Sequence, residues 1–366
     1  MVDLSESNSF TAAVTRIEAN DIALGGNEIN APNLQLKQLT DRTRWLKGQV
    51  DALLQGLIGL TIGEEVQAWD LDLDALAGLT GTGLARRLGV GNWATVPLWV
   101  DNGLAEGRLT LQNGVAVPTA GIAAATTLFY TPFRGNRISL YTGTEWVTRT
   151  FTQMSISLSG LTANTVFDVF GYDNSGSLAI DVNAWTNATT RTLGLALQDG
   201  VWVRSGAATR RYLGTFRTVA AGQSEDSDGR RFVWNAQNRV GRKLRVQAGN
   251  QVYSYGVGTF RPLNNDPNIR VEVVCGLSED LIELTTVGLA NSGDQVLAFG
   301  INSTSTPTVD GQGASSNVVA DDLTVIATLH HLPAVGYTSI TILERSNNGT
   351  YNANTIGFTM AGQVLA

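Results

Sequence analysis

The chain has 366 residues, of which 43% are hydrophobic and only 16% charged, with a net charge of −7. That length suggests two or three structural units, while 40 glycines and few charges suit strands and tight turns better than long surface helices. Lysine occurs only at Lys37, Lys47 and Lys243, which disfavours nucleic-acid binding through phosphate neutralisation.

No apolar run is long enough to span a membrane. The first residues lack the basic-then-apolar pattern of a signal peptide, so synthesis in a reducing cytoplasm is expected. Cys275 is the one cysteine, which excludes an intrachain disulfide and a cysteine-based metal cluster. Its apolar neighbours give it the role of a small buried hydrophobe.

Residues 1–33 are polar, with breakers at Gly25, Gly26 and Pro32. Val14, Ile17, Ile22 and Leu24 give this segment something to bury, so it reads as an arm ordered by a neighbour. Residues 34–63 hold the one clear helix, capped by Asn33 and ended by Gly59 or Gly63. Leu39, Leu46, Leu53 and Leu60 form one column on a seven-residue period; Leu36, Thr43, Val50 and Leu57 form the other. That is the seam of a coiled coil. Thr43 on the seam weakens it, and Gly48 and Gly56 lower intrinsic helicity. With linker-like flanks and no sheet to lie on, the helix is expected to pair with copies of itself.

Residues 64–118 read as short extended pieces punctuated by glycine, a shaft or collar shared between chains. From residue 119 the pattern becomes that of strands. Met154, Ile156 and Leu158 alternate with polar residues. Val166 to Tyr172 is a strand ended by the turn residues 173–176, and Leu178 begins another. Turn signals every ten residues or so indicate a β-sandwich over 119–248. Residues 249–366 repeat the style as a second sandwich or jelly roll. Its strands begin near Val271, Asp280, Val296, Leu323 and Tyr337, with an exposed loop over 302–317. The basic cluster Arg230, Arg231, Arg239, Arg242, Lys243 and Arg245 reads as a strand pair carrying solvated or interface arginines.

The residues give little chemistry. His330 and His331 are the only histidines; on a strand they face opposite ways and cannot form one metal site. Asp70, Asp72 and Asp74 begin like a calcium loop, but Ala75 and Gly81 stand where glycine and glutamate are needed. Gly81 to Arg87 lacks the third glycine of a dinucleotide loop. Carboxylates cluster at Glu225, Asp226 and Asp228 and at Glu279, Asp280 and Glu283, the only footing for a glycan-cleaving enzyme. No β-helix repeat accompanies them. The expectation is a non-enzymatic protein with no cofactor and no metal.

Two stretches, Phe10-Thr-Ala-Ala-Val-Thr-Arg-Ile-Glu-Ala-Asn-Asp and Gln38-Leu-Thr-Asp-Arg-Thr-Arg-Trp-Leu-Lys, resemble the N-terminal region of tailed-bacteriophage fibre and tail proteins. Leu79-Thr-Gly-Thr-Gly-Leu-Ala-Arg-Arg and Asn92-Trp-Ala-Thr-Val resemble their Gly-rich shaft elements. Phe129 to Tyr141, Arg211 to Phe216, Arg231 to Val240 and Gly336 to Glu344 are similar to later parts of the same proteins. The resemblance implies a virion component assembled in the host cytoplasm. It implies a homotrimeric tail-fibre-type subunit, docked on other virion proteins through residues 1–33 and presenting distal β domains for host attachment. Tyr141 and Trp146 are then candidate contacts for host glycan or protein. An architectural baseplate, neck or head component without receptor contact is the alternative, and a glycan depolymerase a second.

Overall fold

The computed structural model describes residues 31–58, 71–80, 83–96, 101–249, 252–318, 323–352 and 358–366. The chain divides into two units, Met1–Trp99 and Val100–Ala366.

The first unit carries a helix over Ala31–Ile58, 28 residues and about 42 Å at 1.5 Å per residue. It starts ahead of Asn33, which is therefore not its cap. Pro32 fits the first turn because its fixed φ is helical and its missing N–H has no intrahelical partner to lose. The segment expected to be extended near Leu71 is instead a short helix, Leu71–Ala77, with Asp72 and Asp74 in its first turn. Carboxylates are favoured there by the positive end of the helix dipole.

Leu84–Gly89 and Asn92–Val96 form an antiparallel hairpin. It turns through Gly91 at φ 63°, so Trp93 to Val96 find their strand partner within the chain. Asp72 ties helix to hairpin. Its Oδ1 accepts from the Gly91 N–H at 2.7 Å and from Trp93 Nε1 at 3.2 Å, and Arg87 lies 2.7 Å from Oδ2. The Gly91 N–H above all, with Arg87 and Trp93, holds the Asp72 carboxyl below its ordinary range.

The second unit is mainly β, built from several sheets. Gly107–Thr110 is wholly buried and pairs with Thr127–Pro132, which pairs in turn with Met154–Ser157. Residues 107–110, expected in a collar shared between chains, thus belong to a sheet of this unit. Arg137–Tyr141 and Trp146–Thr150 form a hairpin. Val166–Asn174 lies between Ser177–Ala184 and Ala207–Ala220. Both faces of this strand are covered. Phe167 and Val169 enter one hydrophobic cluster with Leu109, Leu128, Tyr130 and Phe216, while Val166 and Phe170 enter another with Tyr212, Trp234 and Val271. That is why apolar residues stand on both faces over 166–170 rather than alternating with solvated ones, with Asp168 the one polar residue and itself buried.

The later strands pair with one another over long distances. Ile282–Ile301 and Gly336–Asn352 span 20 and 17 residues. They pair antiparallel with register shifts at Ala290/Ser292 and Ser292/Asp294. Two separate strands expected near 280–287 and 296–301 are therefore one, because bulges absorb the extra residues without ending the ladder. Gln312–Val318, expected in a loop, pairs with Gly293–Ala298; the connecting loop itself is 302–311. The cluster around Trp234 also holds Leu284, Phe299, Ile340 and Phe358, so residues on both sides of the expected 248/249 boundary share one core.

Candidate functional site

The stripe predicted on the long helix is on its surface. Leu39, Leu46, Val50 and Leu53 are 52%, 55%, 52% and 67% exposed. Thr43 is exposed on the same stripe, and its hydroxyl donates to the Leu39 carbonyl at 2.9 Å. The polar atom is thus satisfied inside the helix, leaving the methyl group free to face a partner. Leu36 and Leu57 lie within the helix, but their side chains fall outside what is described, as does Leu60. Lys47 pairs with Asp51 at 2.7 Å one turn on, a geometry that supports helix formation. The short helix and hairpin also expose large aliphatics: Leu71, Leu84, Leu88 and Val90 are all more than half exposed. The arm, residues 1–30, lies outside the described residues.

Tyr141 and Trp146 are cross-strand partners flanking the turn 142–145, with ring centroids 5.5 Å apart. Trp146 is only 9% exposed and packs with Val201 and Val203. Its Nε1 donates to Asp199 Oδ2 at 2.9 Å. Trp146 is therefore not a surface contact, since its ring completes a small satellite core; Tyr141 is half-buried against it. Several other aromatics carry a guanidinium over the ring: Arg210 on Tyr172 and Arg261 on Tyr255, each 3.6 Å from the centroid, and Arg345 on Phe260. A face so covered offers no platform to a sugar ring.

Every carboxylate of the two clusters except Glu283 meets an arginine or lysine. Glu225 meets Arg230 at 3.1 Å, and buried Asp226 meets both Arg231 and Arg242 at 3.2 and 3.1 Å. Asp228 meets Arg231 and Lys243, each at 2.8 Å, and these hold its carboxyl below the ordinary range, Lys243 most. Arg239 bridges Glu279 and Asp280. Glycosidic chemistry needs one carboxyl kept protonated as the acid. The cations beside Asp228 push its carboxyl the other way. His330 Nδ1 lies 3.8 Å from Glu283 and His331 Nδ1 2.8 Å from Asp310, so the two rings serve different neighbours. Cys275 is buried, and burial pushes its thiol up to about 12. Among the described residues no group of three or more metal-ligating side chains forms.

Three buried polar constructions had no motif to announce them. Asp168 Oδ2 accepts from Arg191 Nε at 2.7 Å and its Oδ1 from Thr215 at 2.7 Å. Arg191 also donates to Tyr212 and to the Gly276 carbonyl, and lies 4.4 Å over Trp185. Burial, more than any partner, moves the Asp168 carboxyl, and it moves it up. A Cβ at Gly276 would stand 1.9 Å from the Tyr212 hydroxyl oxygen, so only glycine fits there. Arg211 donates to the carbonyls of Asn102, Gly103 and Ser139 at 2.7–2.8 Å, and burial lowers it to about 10. Glu344, fully buried, accepts from Arg261 Nε at 2.7 Å, from Tyr253 and from the Asn264 N–H. These networks brace the fold.

No family model matches the chain, and no curated protein matches it. Solved structures give shallow likenesses. A β-porphyranase of glycoside hydrolase family 86 from Bacteroides plebeius aligns at a TM-score of 0.22 with 8% identity, over 68% of this chain and 36% of that one. The insecticidal delta-endotoxin Cry8Ea1 from Bacillus thuringiensis aligns at 0.23 with 8% identity, over 66% and 49%. This chain spans about half or less of the length of these structures, and likenesses at this level carry no argument about fold or activity.

Proposed function

We propose that this chain is a structural subunit of a bacteriophage virion, a homotrimeric fibre-type protein whose copies join along the Ala31–Ile58 helix. Residues 1–33 dock it on other virion proteins, and the β body, of sandwich or jelly-roll type, is held outward for host attachment. The observation that carries this reading is the exposed heptad stripe of Leu39, Leu46, Val50 and Leu53. Its side chains leave water by meeting their equivalents on sister copies. No enzymatic role is assigned, because Glu225, Asp226, Asp228, Glu279 and Asp280 are held in ion pairs with arginine or lysine.

Light scattering on the full chain tests the proposal. The expected mass is three times that of the chain. Leu46→Asp with Leu53→Asp should reduce it, because charges placed in a buried seam cost several kcal/mol. A wild-type chain that stays monomeric at micromolar concentration would end the reading.

The purely architectural alternative gains from one observation: Trp146 is buried and several other rings are capped by arginine. Host-cell binding by the full chain separates the two. Binding retained after removal of host glycan would point to a protein receptor, and no binding at all to architecture.

A further inference from the structure

Four strands of the body, Gly241–Gln247, Thr359–Leu365, the first half of Ile282–Ile301 and Leu323–His331, lie side by side in that order. Their inner side chains, among them Leu244, Met360, Leu284 and Leu329, are buried in the core. Their outer side chains face water. The outer rows can be read from the register. Lys243, Gln363, Glu283 and His330 form one row, and Arg245, Ala361, Thr285 and Thr328 the next. Beyond these, Val287 pairs with Ile326, which is half exposed. At the other end Leu365, Leu281 and Leu332 are each about 40–50% exposed. A shallow groove of about 420 Å³ runs along the two middle rows between the aliphatic ends.

We infer that this outer face is an interface with sister copies of the same chain, in which Glu283 of one copy meets Arg245 of another. The inference rests on the self-association proposed above, and three observations support it. The face gathers half-exposed aliphatics at both ends, more than isolated surface leucines require. Its area, four strands wide and seven residues long, is roughly 400–500 Å² of flat sheet. That falls short of the ~800 Å² per partner typical of a free-standing interface. It suits a partner already held nearby, as the helix would hold a sister copy.

Charge supplies the third. Many carboxylates elsewhere in the body meet arginine or lysine, whereas among the described residues Glu283 has only His330 at 3.8 Å and the Gln363 amide at 3.2 Å. Arg245 on the same face donates to Gln247 at 3.0 Å and forms no ion pair among the described residues. One acid and one base on the same face, each without a fixed opposite charge, complement each other between copies.

The test uses the full chain with Thr285→Cys at the centre of the face. Cys275 is buried with its thiol pushed up to about 12, so the new thiol is the reactive one. A short bis-maleimide should link Thr285→Cys copies into covalent multimers, while Thr144→Cys in the exposed turn should not link. Glu283→Arg should weaken the assembly about tenfold in its dissociation midpoint, and adding Arg245→Glu should restore most of it. An oligomer in which Thr285→Cys labels fully without linking overturns the inference and leaves the helical reading standing. So does a charge swap that gives no recovery. A chain that is monomeric throughout overturns both. Saturable binding of a host glycan or protein to this face that competes with labelling of Thr285→Cys in an intact oligomer also overturns it, because the face is then a receptor site.

Discussion

Leu46 and Leu53 of the N-terminal helix are more than half exposed, whereas Leu128, Leu244 and Leu329 of the body are fully buried. The same side chain meets opposite fates because the two units complete themselves differently. The body folds strands back on one another and covers leucine from within the chain. Leu39, Leu46, Val50 and Leu53 of the helix are left half exposed or more. Burial of one leucine is worth about 1.5–3 kcal/mol, so a row left open holds a reserve of free energy that association can release. On the reading proposed above, the body is built to be stable and the N-terminal unit to be joined.

The sharpest way to break this contrast is to disturb the body alone. Asp168→Ala removes the carboxylate from Arg191 and Thr215 and leaves a buried guanidinium without its counter-charge. The loss should be about 3–5 kcal/mol in chemical denaturation, with helix-mediated association intact in whatever remains folded. Gly276→Ala should cost about 1–3 kcal/mol by overpacking against Tyr212. Substituting Leu46 and Leu53 by Asp should do the reverse: the assembly dissociates while the thermal midpoint of the body holds, read by scanning calorimetry.

Acid should act on the body through its ion pairs. Asp173 is held below its ordinary range mainly by Arg149, Asp228 mainly by Lys243 and Glu106 mainly by Arg137. A carboxyl whose folded pKa is depressed stabilises the fold above its unfolded value, and loses that contribution as pH falls through the folded one. Stability should therefore decline below about pH 4.5, where unfolded glutamate and then aspartate begin to take up protons. Glu344 and Asp168, raised chiefly by burial, act oppositely: the folded state takes up their protons first, which softens the decline. Denaturation midpoints at stepped pH check the direction, and Asp173→Asn should flatten the curve slightly.

The smallest effect is expected within the first unit. Asp72→Ala frees the Gly91 N–H and Trp93, so the hairpin should exchange its amides faster and the Trp93 emission should shift. The body should not respond.

What could be read from the residues followed range. The helix, the strand at Val166 and the turn at 173–176 depend on neighbours in sequence, and each was legible. The single strand 282–301 was not, because bulges near Ser292 have no residue signature. Nor was the helix at Leu71: an alternation of Asp and Leu suggests a strand, yet Asp72 and Asp74 serve a helix start. Trp146 borders a turn, where a surface contact and a core ring are both open readings, and Val201 and Val203, fifty-odd residues away, cover it. The pairing of Glu225, Asp226 and Asp228 with arginines is half local and could have been anticipated from the basic cluster that follows. Arg211 and Gly276 carry no signal at all, since their partners are backbone carbonyls and a distant tyrosine.

The pairing of Gly241–Gln247 with Thr359–Leu365 also sets an order of events during synthesis. Contacts between segments so far apart form slowly, because the intervening loop must close before the ladder rewards it. The helix needs only its own turns. On the ribosome its residues emerge long before residues 359–365 exist, so on the self-association proposed above nascent chains meet while their bodies are still unfolded. Assembly would then begin before the body's ladder closes, and strands waiting for their partners would be held beside sister strands, where exchange between chains becomes a hazard.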